Sequence, residues 1–204
     1  MGSVQAGRAM PFAIAAGVSI LVFSATALAP YFAGDVAAAR AVQALSPGTG
    51  WATQVTNLAL EPYKFVVMAL AVGVAYWLGG WKGAAITLGA IAVEQAGGEA
   101  SKQIAQRPRP SRELIAVVGN PSGFSFPSTF TTFIAVTFGS VLLLALHSRA
   151  KMAVSAATVA VVVIALGWAA RVALGAHWPS DVVLTTVVCL SWIWAVRRVV
   201  LPAS

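Results

Sequence analysis

Six long apolar runs, separated by short polar breaks, leave this 204-residue chain few ways to fold. They cover roughly residues 11–32, 62–78, 83–105, 128–146, 152–174 and 181–196. A helix needs about 20 mostly apolar residues to cross a hydrocarbon core. Six spans use most of the chain and leave no room for a separate soluble domain. Only 9% of the residues are charged, against roughly 25% in soluble domains. That scarcity excludes an ordinary soluble globule. At 59% hydrophobic residues the chain is not disordered either. The single cysteine, Cys189, allows no intrachain disulfide. The sequence predicts an all-α integral membrane bundle of six transmembrane helices, forming one domain over residues 1–204.

The breaks refine this picture. Ala27-Leu28-Ala29 has the small residues of a signal cleavage site, but the run before it is long enough to span, so an uncleaved first helix is expected. Residues 37–45 fit a short interfacial helix ended by Pro47. Gly79-Gly80-Trp81-Lys82 reads as a tight turn between the second and third runs. Prolines at 108, 110, 121 and 127 exclude a continuous helix through residues 107–127.

Ionisable residues near a bilayer are costly and point to function. Three groups stand out. Lys102, Arg107 and Arg109 gather where a helix meets prolines. Lysine supplies a point charge and arginine a planar fork for phosphate oxygens. Taken alone, this group also fits a basic patch against anionic lipid heads. In the second group, Pro127-Ser128-Thr129-Phe130 opens a long helix whose N-terminal N–H groups could cradle phosphate. Capping by Ser128 is the simpler reading. The third group places Arg171, His177 and Asp181 within eleven residues at a helix break. Aspartate can hold one imidazole nitrogen and leave the other free as base or nucleophile. Together the groups predict a phosphate held by cations beside a His–Asp pair. No metal or other cofactor is implied, and nothing points to nucleic acid.

These residues resemble the type-2 phosphatidic acid phosphatases, or lipid phosphate phosphatases. The family signature is Lys-x6-Arg-Pro, then Pro-Ser-Gly-His, then Ser-Arg-x5-His-x3-Asp. Lys102 to Arg109-Pro110 matches the first block, and Arg171, His177 and Asp181 match the third, with Ala170 in place of its serine. In the second block Pro127-Ser128 matches, but Thr129 and Phe130 replace Gly-His. Pro121-Ser122-Gly123-Phe124 is a decoy, set aside because the block context lies at Phe126-Pro127.

The resemblance implies a metal-free phosphatase working through a phosphohistidine. His177 would be the nucleophile and Asp181 would orient it. Lys102, Arg109, Ser128, Thr129 and Arg171 would bind the phosphoryl group. Phe130 stands where the family has an acid histidine, and His147, expected on the opposite face, cannot replace it. A general acid contributes about 10²–10⁴-fold. An alcohol leaves about as badly as water, of pKa about 15.7, whereas a phosphate ester leaves with a pKa of about 6. The expected substrate is a lipid phosphate or diphosphate, a polyprenyl diphosphate or a glycerolipid phosphate. Three readings follow: a diphosphate lipid as substrate, Glu99 as an auxiliary acid from the face of Gln95, Lys102 and Gln106, or a non-catalytic lipid-phosphate binder or transporter. Positive-inside counting puts Arg8, Lys82, Arg149, Lys151, Arg197 and Arg198 on the cytoplasmic side of a bacterial inner membrane. Both termini are then cytoplasmic and the active site faces the periplasm. Oligomeric state is not specified.

Overall fold

The computed structural model describes residues 2–201, with side chains from residue 7 onward. The described residues are helical, with no strand. The helices are α1 (Gly2–Leu28), α2 (Asp35–Leu45), α3 (Gly50–Asn57), α4 (Tyr63–Ala105), α5 (Thr129–Ile134), α6 (Ser140–Ala145), α7 (Ala153–Ala173) and α8 (Pro179–Val200). A π-helical turn, Ala135–Gly139, joins α5 to α6, so that Thr129–Ala145 forms one apolar rod. Among the described residues, four helices, against the six expected, are long and apolar enough to cross a membrane: Gly7–Leu28 within α1, α4, α7 and α8.

The 43-residue α4 is not straight. Gly80, at φ 63° and ψ −158°, takes a conformation open almost only to glycine. The chain reverses there. Lys64 Nζ donates to Gln95 Oε1 at 2.6 Å across 31 positions, which a straight helix would hold about 46 Å apart. The expected turn at residues 79–82 is therefore a hairpin inside one hydrogen-bonded element.

Other boundaries have local causes. α1 begins earlier than expected and stops at Leu28 rather than residue 32, because Pro30 cannot continue it. α4 ends where Gln106 turns left-handed, with its N–H on Lys102 O. Gln106 therefore leaves the helical face it was expected to share with Glu99. Ser128 caps α5 by accepting the Thr131 N–H at 3.3 Å. Pro179 starts α8, where its missing N–H costs nothing. The short helix α3 was not anticipated. It packs Ala52 with Ala170, Ala173 and Leu174 of the α7 end.

The central packing joins both arms of α4 to α6, α7 and α8 through Ala75, Ile86, Leu144, Ala160 and Ile193. α1 lies along α8, tied by Trp192 Nε1 to Ser19 Oγ at 2.9 Å. The α4 hairpin and the loop after α6 meet at one end, where Ser148 Oγ donates to Leu78 O at 3.1 Å. The other end carries α2, α3, the 106–128 loop and the 174–178 turn. Replacing Gly80 with Ala should cost about 1–3 kcal/mol of stability. Gly73→Ala, with open space around the new methyl, should cost nothing measurable. Thermal unfolding in detergent compares the two.

Candidate active site

The 106–128 loop and the 174–178 turn lock together through their backbones. Val118 N–H donates to Leu174 O at 2.9 Å across the two, while Ser125 N–H to Arg107 O at 2.8 Å closes the loop on itself. Trp178 Nε1 reaches Pro108 O at 3.3 Å. Gly175, at φ 63°, makes the tightest approach: a methyl there would lie 2.0 Å from Ala116 O.

His177 sits inside this lock, 1% exposed. Its Nδ1 lies 2.7 Å from Ser125 O. A carbonyl only accepts, so Nδ1 carries the proton and Nε2 presents its lone pair. Nε2 lies 3.4 Å from Arg109 Nη1. Burial is the main force on the imidazole, pushing its pKa down to about 4; the Asp181 carboxylate opposes this, while Arg171 and Arg109 reinforce it. His177 is therefore neutral at pH 7.

The expected Asp181–His177 bond is absent from this geometry. Asp181 Oδ2 is 3.8 Å from Nδ1 and instead accepts the Trp178 N–H at 2.9 Å. Its Oδ1 takes Arg107 Nη1 at 2.5 Å. Asp181 thus fixes the start of α8, and with it the turn carrying His177, rather than the ring itself.

The three cations of the first group separate. Arg107 is 1% exposed and belongs to the framework. Its guanidinium joins Asp181, Ser180 Oγ at 2.9 Å and Asp35 Oδ2 at 3.2 Å. It also stacks 4.6 Å from the Phe32 ring centroid. Asp35 completes the knot by accepting the Ser180 N–H and hydroxyl at 2.9 and 2.6 Å and the Phe32 N–H at 2.8 Å. Arg109 is half-buried. Its Nε donates to Ser122 O and Gly123 O at 2.9 and 3.1 Å, and its Nη1 to Ala176 O at 2.7 Å. Burial lowers its pKa, with Asp181 and Glu99 acting in the opposite sense. Lys102, 8% exposed, pairs with Glu99 Oε1 at 2.8 Å. The same oxygen accepts the Thr129 hydroxyl at 2.8 Å. One Glu99 oxygen therefore serves both Lys102 and Thr129.

Arg171 approaches from the end of α7. Its Nε is buried without a hydrogen-bond partner, as is Ser125 Oγ. Such groups cost about 1–3 kcal/mol each when unsatisfied. An anion bound here would satisfy the arginine. Its guanidinium carbon lies 5.7 Å from the Phe130 ring centroid. Phe130 itself is 6% exposed and packs with Phe133, Ile134 and Ile164. The position that departs from the second motif is therefore an apolar ring beneath Arg171. Ser128 is fully buried, and its hydroxyl serves the cap and the Thr131 hydroxyl. Its N–H donates to Thr185 Oγ1 at 3.1 Å. The Ser128 side chain thus faces the protein rather than an open anion site.

The structure brings Arg109, Arg171 and His177 into one electrostatic unit, with the Glu99–Lys102–Thr129 cluster beside it and Asp181 behind. Among the described residues, no three histidines, cysteines or carboxylates gather as a metal site requires. His147 lies apart, exposed, with Nδ1 3.1 Å from Leu143 O. Sequence reasoning missed Asp35 and the framework role of Arg107. An acid stranded among apolar runs was the available signal for Asp35.

A family model of the PAP2 superfamily matches residues 83–203, a span that holds all of these groups except Asp35. The chain belongs to the PAP2 superfamily. Its fold is similar to the crystal structure of the first transmembrane PAP2-type phosphatidylglycerolphosphate phosphatase from Bacillus subtilis. The TM-score is 0.68 at 21% identity, over 90% of this chain and 94% of that one. No protein with a curated description matches significantly. Within this PAP2 chain, the matched region begins in the second arm of α4 and includes the whole His177 environment.

Two outcomes follow. In NMR of ring-labelled histidine, His177 should remain the Nδ1–H tautomer at pH 7 and protonate near pH 4. Arg109→Gln removes a charge that disfavours protonation, so the midpoint should rise. Separately, Asp35→Ala should cost about 3–5 kcal/mol, because it strips a partner from a buried arginine. Thermal unfolding, with exposed Glu113→Ala as the neutral reference, measures that loss.

Proposed function

We propose that this protein is a membrane phosphatase that hydrolyses a lipid phosphate or diphosphate, built as one domain over residues 1–204. The observation that carries this reading is His177 Nε2. Its lone pair is freed by the Ser125 carbonyl and lies beside Arg109, with Arg171 adding charge nearby. Nε2 attacks phosphorus, the P–O bond to the lipid breaks, and a phosphohistidine forms. Water then takes the phosphoryl group and returns a neutral imidazole. Arg109 and Arg171 hold the phosphoryl oxygens and stabilise the charge that builds on them. Lys102 joins them once phosphate competes with Glu99, and Thr129 with the first N–H groups of α5 closes the cradle. Asp181 acts as a positioning residue through Trp178.

Phe130 sets the substrate preference. With no imidazole at that position, the leaving group must depart without a proton. A diphosphate lipid, such as a polyprenyl diphosphate, can do so. Glu99, already paired with Lys102 and Thr129, is a poor replacement acid. The polar loops face the periplasm of a bacterial inner membrane, with both termini and the six cations at residues 8, 82, 149, 151, 197 and 198 on the cytoplasmic side and α4 crossing twice to give six spans. The second reading is a lipid-phosphate binder without turnover. It is favoured by the packing of Phe130 against Arg171.

Purified protein in detergent, assayed for phosphate release, separates the readings. Release from a polyprenyl diphosphate should exceed release from a lipid monophosphate by at least about 100-fold, and His177→Ala should abolish both. Phe130→His should raise monophosphate turnover by about 10²–10⁴-fold and change diphosphate turnover little. Release that survives His177→Ala overturns the mechanism. Phosphate binding without any release supports the binder.

A further inference from the structure

At the end of the bundle away from His177, a recess of about 290 Å³ opens between the start of α1 and the last turns of α8. Arg8 and Arg198 line it from the two helices, with Trp194 on the α8 side and Gly7, Met10 and Pro11 on the α1 side. From Pro179 to Arg198, α8 rises about 29 Å. A molecule whose phosphate lies at His177 therefore cannot place the same phosphate in this recess.

Two arginines in one recess repel each other, and no acidic side chain offsets them. Among the described residues, no carboxylate lines the recess or pairs with either arginine. Asp35, Glu99, Glu113 and Asp181 lie at the site end, and Glu61 and Glu94 lie far along the α4 arms from the Gly80 reversal that marks this one. The helix dipoles cancel: the α8 C-terminus contributes about half a negative charge and the antiparallel α1 N-terminus about half a positive one. Arg197, next in sequence to Arg198, is 7% exposed and adds a third cation, and its buried Nε has no hydrogen-bond partner among the described residues. Arg107, by contrast, meets two carboxylates at the site end. What this end lacks is an anion.

The walls select which anion. Arginine forks match the oxygens of a phosphate. At about 30 Å³ per water-sized group, the volume holds roughly ten non-hydrogen atoms, enough for a phosphodiester with a small uncharged alcohol. An ammonium head group would bring a further cation towards Arg8 and Arg198. The flank is apolar: Met10 is 59% exposed and Ile14, one turn further along α1, 46%. It leads from the recess onto the membrane-spanning part of α1, where acyl chains attached to that phosphate would lie. Trp194, half-buried in the wall, is a residue type enriched at head-group depth.

We propose that this recess binds the head group of an anionic phospholipid from the leaflet opposite the site. The lipid is not a substrate, and its site stands independently of turnover at His177. Arg107 joins the end of α1 to the start of α8 through Ala29 O and Asp181. The phospholipid closes the same two helices at their other ends, by sharing its phosphate between Arg8 and Arg198.

The test titrates the full-length protein in detergent with phosphatidylglycerol, phosphatidylcholine or inorganic phosphate and counts retained molecules by native mass spectrometry. Phosphatidylglycerol should bind about tenfold more tightly than phosphatidylcholine, the size of one charge-assisted hydrogen bond. Arg8→Gln/Arg198→Gln should bring the two lipids within about twofold of each other. Gly7→Leu, which keeps both arginines and fills open space, should do the same. Arg149→Gln/Lys151→Gln removes equal charge from exposed positions at this end and should leave the preference intact. So should Arg109→Gln/Arg171→Gln at the site. Equal binding of the two lipids by the unmodified protein overturns the inference, as does an equal loss in the Arg149/Lys151 variant. Loss of the preference in the Arg109/Arg171 variant places the lipid at His177 and also overturns it. Inorganic phosphate retained as tightly as phosphatidylglycerol makes the recess a free-anion site and removes the lipid. If the recess variants do not fold, phosphatidylglycerol carrying a head-group diazirine is crosslinked to the unmodified protein. Adducts confined to residues 7–11 and 194–199 support the site, and adducts spread equally to residues 82 and 149–151 overturn it.

Discussion

A single arginine, buried away from solvent and bonded to two carboxylates, holds the site end of this protein together. Arg107 meets Asp35 from the α1–α2 corner and Asp181 from the start of α8, and its Nε reaches Ala29 O at 3.2 Å. An ion this deeply buried is tolerated only when its partners stay in place, since an uncompensated charge costs several kcal/mol. Three stretches of chain distant in sequence therefore move as one body. His177 lies in the turn that this knot anchors, so its position depends on a residue more than 140 places earlier. The knot also explains why α2 sits against α7 and α8 rather than lying free on a membrane surface.

The cations of the site end fall into two physical kinds. Arg107 and Lys102 have carboxylate partners, and their charge is largely cancelled. Arg109 has backbone carbonyls for partners, and Arg171 has an aromatic face. Neither of those cancels a full charge. The positive potential is therefore concentrated around His177, where it adds to burial, the larger force, in keeping the imidazole neutral. A cluster that looks uniform along the sequence is, in space, one structural cation, one shielded cation and two without a carboxylate partner among the described residues.

Much of this was legible before the structure. Apolar runs of spanning length became helices, Gly79-Gly80 became a reversal, and the residues at 171, 177 and 181 came together at one helix break. What stayed hidden depends on long-range pairing or on backbone atoms. Spacing cannot reveal that Asp35 and Arg107 meet, because the pairing crosses 72 positions. The helix Gly50–Asn57 lacks an apolar run and is stabilised by packing on α7 rather than by its own pattern. The stretch Pro121–Phe124, dismissed as a decoy motif, supplies the carbonyls that aim Arg109. Aspartate was the expected partner of the imidazole, but a carbonyl has no letter in the sequence and cannot be read from it.

That last detail bears on how the protein tolerates change. The proton position on His177 is fixed by a main-chain oxygen, which every amino acid at position 125 would supply. No single codon change removes that acceptor while the loop keeps its path. In enzymes that orient an imidazole with a carboxylate, one substitution can reverse the tautomer. Here, reversing the tautomer demands a backbone rearrangement rather than the loss of one side chain.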